Sequence, residues 1–133
     1  MGKHINLPTR GTQCIGAYLA EAPGKSKGGI VVIQEIFGVN AHIRSVADRF
    51  AAAGYTAIAP AFFDHLETGV ELDYTELDMN QGKQLVTELG LDRAVEDVAS
   101  AAEAIASAGK IGTVGYCWGG TVALLSEIGR AHV

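Results

Sequence analysis

The residues of this chain best suited to covalent chemistry lie in one short run, Lys110-Ile111-Gly112-Thr113-Val114-Gly115-Tyr116-Cys117-Trp118-Gly119-Gly120-Thr121. Within it, Gly115, Cys117 and Gly119 form a Gly-x-Cys-x-Gly pattern, a nucleophile elbow with sulfur in place of the serine hydroxyl. An elbow turns a strand sharply into a helix and holds the nucleophile at the tip in a strained backbone conformation. Residues two before and two after must be small, because their backbones pass close together. Gly115 and Gly119 meet that need, and Gly120 adds freedom where the helix starts. The helix start aims backbone N–H groups beside Cys117, favouring first a thiolate and then an oxyanion. Acyl transfer through sulfur is the chemistry that fits. The competing reading is a glycine-rich turn that carries a cysteine by chance.

The elements that must position this sulfur follow from apolar periodicity. Ile111 to Val114 reads as a strand, and Thr121 to Leu125 opens an apolar helix. Ile30-Val31-Val32-Ile33 is a continuous β-branched run, as expected of a strand buried on both faces of a parallel sheet. It runs into Gln34-Glu35-Ile36-Phe37-Gly38-Val39-Asn40, where Asn40 is a candidate N-cap. Ile43, Val46, Ala47, Phe50 and Ala51 then recur at helical spacing until Gly54, and Tyr55 to Pro60 is a further buried strand. Cys14 to Ala20 can form a strand, with Cys14 a small core residue. Ala61 to Thr87 reads as a polar surface excursion with one weakly amphipathic helix near Leu77 to Leu89. Leu91, Ala94, Val95, Val98, Ala102 and Ile105 mark a clearer helix, with Arg93, Glu96, Asp97 and Glu103 mostly off its apolar stripe. Alternating strands and helices predict right-handed crossovers and an α/β domain with helices on both faces of its sheet.

Composition narrows the function classes. The chain has 133 residues, is 48% hydrophobic and carries a formal charge of −5, which suits one globular domain and gives no attraction to nucleic acid or anionic lipid. No apolar run reaches the length of a membrane span, and the N-terminus lacks a signal-peptide core. Cys14 and Cys117 lie far apart without metal-ligand spacing, so neither a metal site nor a disulfide framework is expected, and a cytoplasmic location is. Gly115, Cys117 and Gly120 also occupy the positions of a dinucleotide-binding fingerprint. The middle position of that fingerprint must lack a side chain, which Cys117 does not.

The elbow, taken with Val31-Val32-Ile33-Gln34-Glu35-Ile36-Phe37-Gly38-Val39-Asn40 and Gly54-Tyr55…Ala59-Pro60, resembles the dienelactone hydrolase family (carboxymethylenebutenolidases) of the α/β-hydrolase fold. The likeness runs from about Gly28 to Ser126. It implies a mostly parallel sheet with helices on both faces, truncated after the elbow helix. It also implies a hydrolase that cleaves a small-molecule lactone or carboxylic ester through a thioester, without metal or organic cofactor. By the same resemblance Cys117 matches the nucleophile and Glu35 the carboxylate that takes the thiol proton. The backbone N–H groups of Ile36 and Trp118 match the oxyanion-hole donors. A non-catalytic binding scaffold on the same fold is the alternative.

The chain departs from the family pattern after the elbow. An acid and a histidine should follow the nucleophile, yet His4, His42 and His65 precede it, and His132 sits in the tail. His42 and His65 read as surface histidines. Glu127-Ile128-Gly129-Arg130-Ala131-His132-Val133 resembles nothing in the family and reads like a translated sequencing adapter. The expected organisation is therefore residues 1–126 as the N-terminal part of one α/β-hydrolase domain and residues 127–133 as a non-native tail. Ile111 to Val114 would then form an apolar sheet edge prone to self-association. The family grips anionic dienelactones with arginines, whereas Leu66 to Leu89 holds no arginine and only Lys83 as a cation. Another ester or lactone is thus as compatible with these residues as a dienelactone.

Overall fold

The structure, a computed structural model, describes residues 2–11 and 13–131. The chain order is β1 (Lys3–Pro8), β2 (Cys14–Ala20), β3 (Gly29–Ile33), α1 (Ala41–Ala52), β4 (Thr56–Pro60), a 3₁₀ turn (Phe62–His65), α2 (Glu76–Leu89), α3 (Leu91–Ala104), β5 (Ile111–Gly115) and α4 (Trp118–Ala131). The strands form one sheet in the order β1-β2-β4-β3-β5. β4, β3 and β5 run parallel, as the apolar runs predict, while β1 and β2 add an antiparallel ribbon on the β4 side. β1 is not among the strands that the sequence pattern predicts. Its Ile5 and Leu7 alternate with exposed His4, Asn6 and Pro8, a pattern too short and polar to stand out beside the buried strands.

Helices cover both faces. Val31, Ile33, Ile58, Ile15 and Leu7 point to a core shared with Ala94, Val98 and Ala101 of α3 and Val122 of α4. Val32, Ala57, Ala59, Tyr18 and Ala20 point to the other face and meet Ile43, Val46, Ala47 and Ala51 of α1. The alternation explains why β3 lacks polar residues: Val31, Val32 and Ile33 are each at most 1% exposed, and each contributes about 1.5–3 kcal/mol through burial. Asn40 caps α1, its side chain accepting from Ile43 N–H at 3.1 Å, and Thr75 caps α2 in the same way through Asp78 N–H. α4 begins three residues before the expected Thr121 and runs on through Ala131.

Four expectations need correction. Cys14 is exposed, because it opens β2 outside the cluster that α1 covers, while its neighbour Ile15 enters the core. Leu91 is 40% exposed at the first position of α3. Asp97 is fully buried rather than off the apolar stripe, and His65 is not on the surface: its Nε2 lies 2.8 Å from Asp97 Oδ2, with side-chain exposures of 9% and 0%. The pair ties the 3₁₀ turn after β4 to α3. A one-dimensional periodicity places Asp97 among polar residues and cannot show that a histidine distant in sequence partners it.

Burial pushes the Asp97 carboxyl above the ordinary carboxylate range, and His65 beside it pulls the other way without cancelling the rise. A folded-state value above the unfolded value of about 4 means that Asp97 contributes its stability at low pH and loses it as pH rises through the folded value. Asp97→Asn does not titrate there. Its melting temperature relative to the native chain is therefore expected to climb as pH is raised from about 4 towards neutrality, followed by circular dichroism. A difference independent of pH would refute the assignment.

Candidate active site

The register of β3 and β5 places the candidate residues at the same end of the sheet, with no hydrogen bond between Cys117 Sγ and the Glu35 carboxylate, whose partner among the described residues is Tyr74. Ile33 pairs with Gly115, so Glu35 and Cys117 each lie two residues beyond that pair at the C-terminal ends of adjacent parallel strands. This is where open α/β sheets place their ligands. Cys117 has φ +57°, alone among the described non-glycine residues in taking a positive value, and its thiol is exposed. Gly119 N–H donates to Tyr116 O at 3.0 Å and Thr121 N–H to Cys117 O at 3.2 Å, closing the first turn of α4 directly behind the sulfur.

The elbow glycines are sterically required. A Cβ on Gly115 would sit 2.2 Å from Gly119 O, and one on Gly119 would sit 2.5 Å from Gln34 O and 2.7 Å from Ile33 O. Gly120 is less constrained, its Cβ position lying 3.3 Å from Gly115 O. Because these neighbours are backbone atoms, no side-chain rotation relieves the clash. The elbow therefore packs against the peptide units that lead into Glu35. Trp118 is held from the far side by Phe62, ring centroids 5.7 Å apart and nearly perpendicular at 88°.

Glu35 is half-buried, and its Oε1 accepts from Tyr74 Oη at 3.3 Å. The preceding Gln34 is buried and donates through Nε2 to Glu35 O at 3.0 Å, while Gln34 Oε1 has no partner among the described residues. Helix α2 approaches the same loop so closely that a Cβ on Gly82 would lie 2.1 Å from Ile36 O. Among the described residues, neither Ile36 N–H nor Trp118 N–H donates a turn or loop hydrogen bond. An amide free in this way can serve an anion.

None of the described histidines forms a hydrogen bond with Cys117 or Glu35. His4 lies on β1, four strand spacings (roughly 19 Å) from β5, with its ring against Tyr18. His42 is exposed on α1, and His65 is bound to Asp97. His132 lies outside the described residues. No group of three or more His, Cys, Asp or Glu able to hold a metal occurs among the described residues. Tyr74, in an acidic stretch without periodicity, gives no sequence signal of its contact with Glu35.

This sheet order, with a cysteine elbow after β5, defines an α/β-hydrolase fold. A crystal structure of a candidate dienelactone hydrolase from Klebsiella pneumoniae superposes with a TM-score of 0.79 at 28% identity, covering 95% of this chain and 53% of that one. The chain belongs to the dienelactone hydrolase family, whose model matches residues 15–132. It is 35% identical over 91% of its length to a candidate carboxymethylenebutenolidase of Synechocystis sp., covering 51% of that protein. It is 34% identical over 80% of its length to the carboxymethylenebutenolidase of Pseudomonas putida, covering 48%. The chain thus spans about half the length of these curated relatives.

Gly119→Ala is expected to destabilise the chain by about 3 kcal/mol in urea unfolding, through overpacking against the Ile33 and Gln34 carbonyls. Gly24→Ala, where nothing lies within 4 Å, should change stability little, and equal effects would contradict the elbow packing.

Proposed function

We propose that this chain carries the acylation machinery of a lactone or carboxylic ester hydrolase with Cys117 as nucleophile. The observation that carries the reading is the left-handed backbone of an exposed cysteine at a strand-to-helix turn, beside the peptide units that lead to a carboxylate. Strain of this kind persists only where the surrounding structure imposes it, and it clusters at reactive positions.

In the proposed reaction Glu35 takes the proton of Cys117 Sγ as sulfur attacks the carbonyl carbon. The C–S bond forms, and the carbonyl electron pair moves to oxygen, which the N–H groups of Ile36 and Trp118 receive. Collapse of that intermediate breaks the C–O bond of the ester or lactone. The departing alkoxide takes the proton back from Glu35, leaving a thioester on Cys117. Hydrolysis of the thioester then needs an activated water. His4 packs on Tyr18, His65 is bound to Asp97, and His42 stands exposed on α1, so we assign no described residue to that step.

With p-nitrophenyl acetate, the native chain and Cys14→Ala should release about one nitrophenolate per chain in a burst, and Cys117→Ala should release none. Both thiols are exposed, so iodoacetamide should label Cys117 faster than Cys14 for reasons of reactivity rather than access. Equal labelling would favour a binding scaffold and overturn the proposal.

We further place self-association at β5, the edge of the described sheet. Beside it lies a cavity of about 480 Å³ with an apolar floor that includes Val95, Val98 and Ala102, and with Arg10, Glu96, Glu103 and Glu127 also in its lining. An apolar groove next to an edge strand favours strand-to-strand pairing between copies. Thr113→Lys should shift the chain towards monomer in light scattering, and an unchanged mass distribution would refute this placement.

A further inference from the structure

We propose that Tyr74 is a positioning residue that sets the carboxylate of Glu35, an inference that rests on the assignment of Glu35 above. Three side chains carry it. Asn40 Oδ1 accepts from Ile43 N–H at 3.1 Å as the cap of α1, which fixes the orientation of its amide. Its Nδ2 then faces Tyr74 Oη at 3.2 Å and donates to it. The phenol thus has its lone pair engaged by Asn40 and its single proton directed to Glu35 Oε1 at 3.3 Å. The donor sequence runs one way, from the helix cap through the phenol to the carboxylate.

Tyr74 is 58% exposed, so a contact rather than burial orients its ring. That contact is Phe37, whose ring centroid is 4.4 Å away at 61°. The backbone around it is fastened to the same loop. Leu72 N–H donates to Phe37 O at 2.9 Å, Gly38 and Glu71 form an antiparallel bridge, and Arg44 joins Val39 O to Glu71. Segment 71–74 is therefore a strap across the loop that follows β3, with the Tyr74 hydroxyl as its polar tip. Glu35 Oε2 has no partner among the described residues, so anchoring Oε1 leaves one oxygen for the thiol proton. A carboxylate held by one oxygen loses less freedom on entering the transition state.

The test is the p-nitrophenyl acetate burst rate near neutral pH for the native chain, Tyr74→Phe, Glu35→Gln and the double variant. Tyr74→Phe keeps the ring contact with Phe37 and removes only the hydroxyl. It should slow acylation about fivefold, the effect of one hydrogen bond of ordinary strength, and lower the melting temperature only slightly because the hydroxyl lies in an exposed setting. Glu35→Gln should slow it further, and adding Tyr74→Phe to that variant should change nothing more. Asn40→Ser, which preserves the cap but lacks the amide donor, should slow acylation in the same direction by a smaller factor. Equal slowing by Tyr74→Phe in both backgrounds overturns the inference, as does a native rate in Tyr74→Phe when Glu35→Gln is slow. A native rate in Glu35→Gln overturns the base assignment as well.

Discussion

The approach of Gly119 to the carbonyls of Ile33 and Gln34 is the constraint on which the rest of the structure depends. Helix α4 can start where it does only if no side chain stands between its first turn and the end of β3. That in turn requires β3 and β5 to be parallel neighbours in register, with Ile33 opposite Gly115. The fully apolar β3 follows from the same geometry. A strand flanked by β4 and β5 and covered on both faces has no room for polar side chains.

The loop from Gln34 to Asn40 is held from every side. The elbow presses on it at Gln34, α2 at Ile36, and the strap of residues 71–74 at Phe37 and Gly38. Asn40 ends the loop as the cap of α1, so a change in the loop would propagate into that helix. The segment after β4 reaches the candidate site twice and α3 once. Phe62 props Trp118, His65 locks onto α3, and Tyr74 returns to Glu35. What reads in sequence as a polar excursion is in the fold the outer wall of the candidate site.

The parts of this arrangement that were legible in the sequence are those encoded locally. Gly115-x-Cys117-x-Gly119 demands a tight turn within five residues, and the apolar run of β3 declares double-sided burial, so elbow and sheet core could be placed from the chain alone. The cap at Asn40 is equally local. Features that depend on distant partners were not legible. His65 and Asp97 are 32 positions apart and Tyr74 and Glu35 are 39, and neither pair leaves a periodic trace. Cys14 shows a subtler limit. Strand alternation gives the face on which it lies, but not that the helix cover stops short of it.

The backbone at Cys117 has a consequence for how this protein can change. A side chain in left-handed conformation costs on the order of 1 kcal/mol, which glycine would not incur and asparagine would largely escape. Selection for sturdiness alone would thus erode this thiol first. A version of the chain that keeps cysteine here is retaining an intrinsically unfavourable choice, and a version that replaced it with glycine would relax the backbone and lose the exposed thiol.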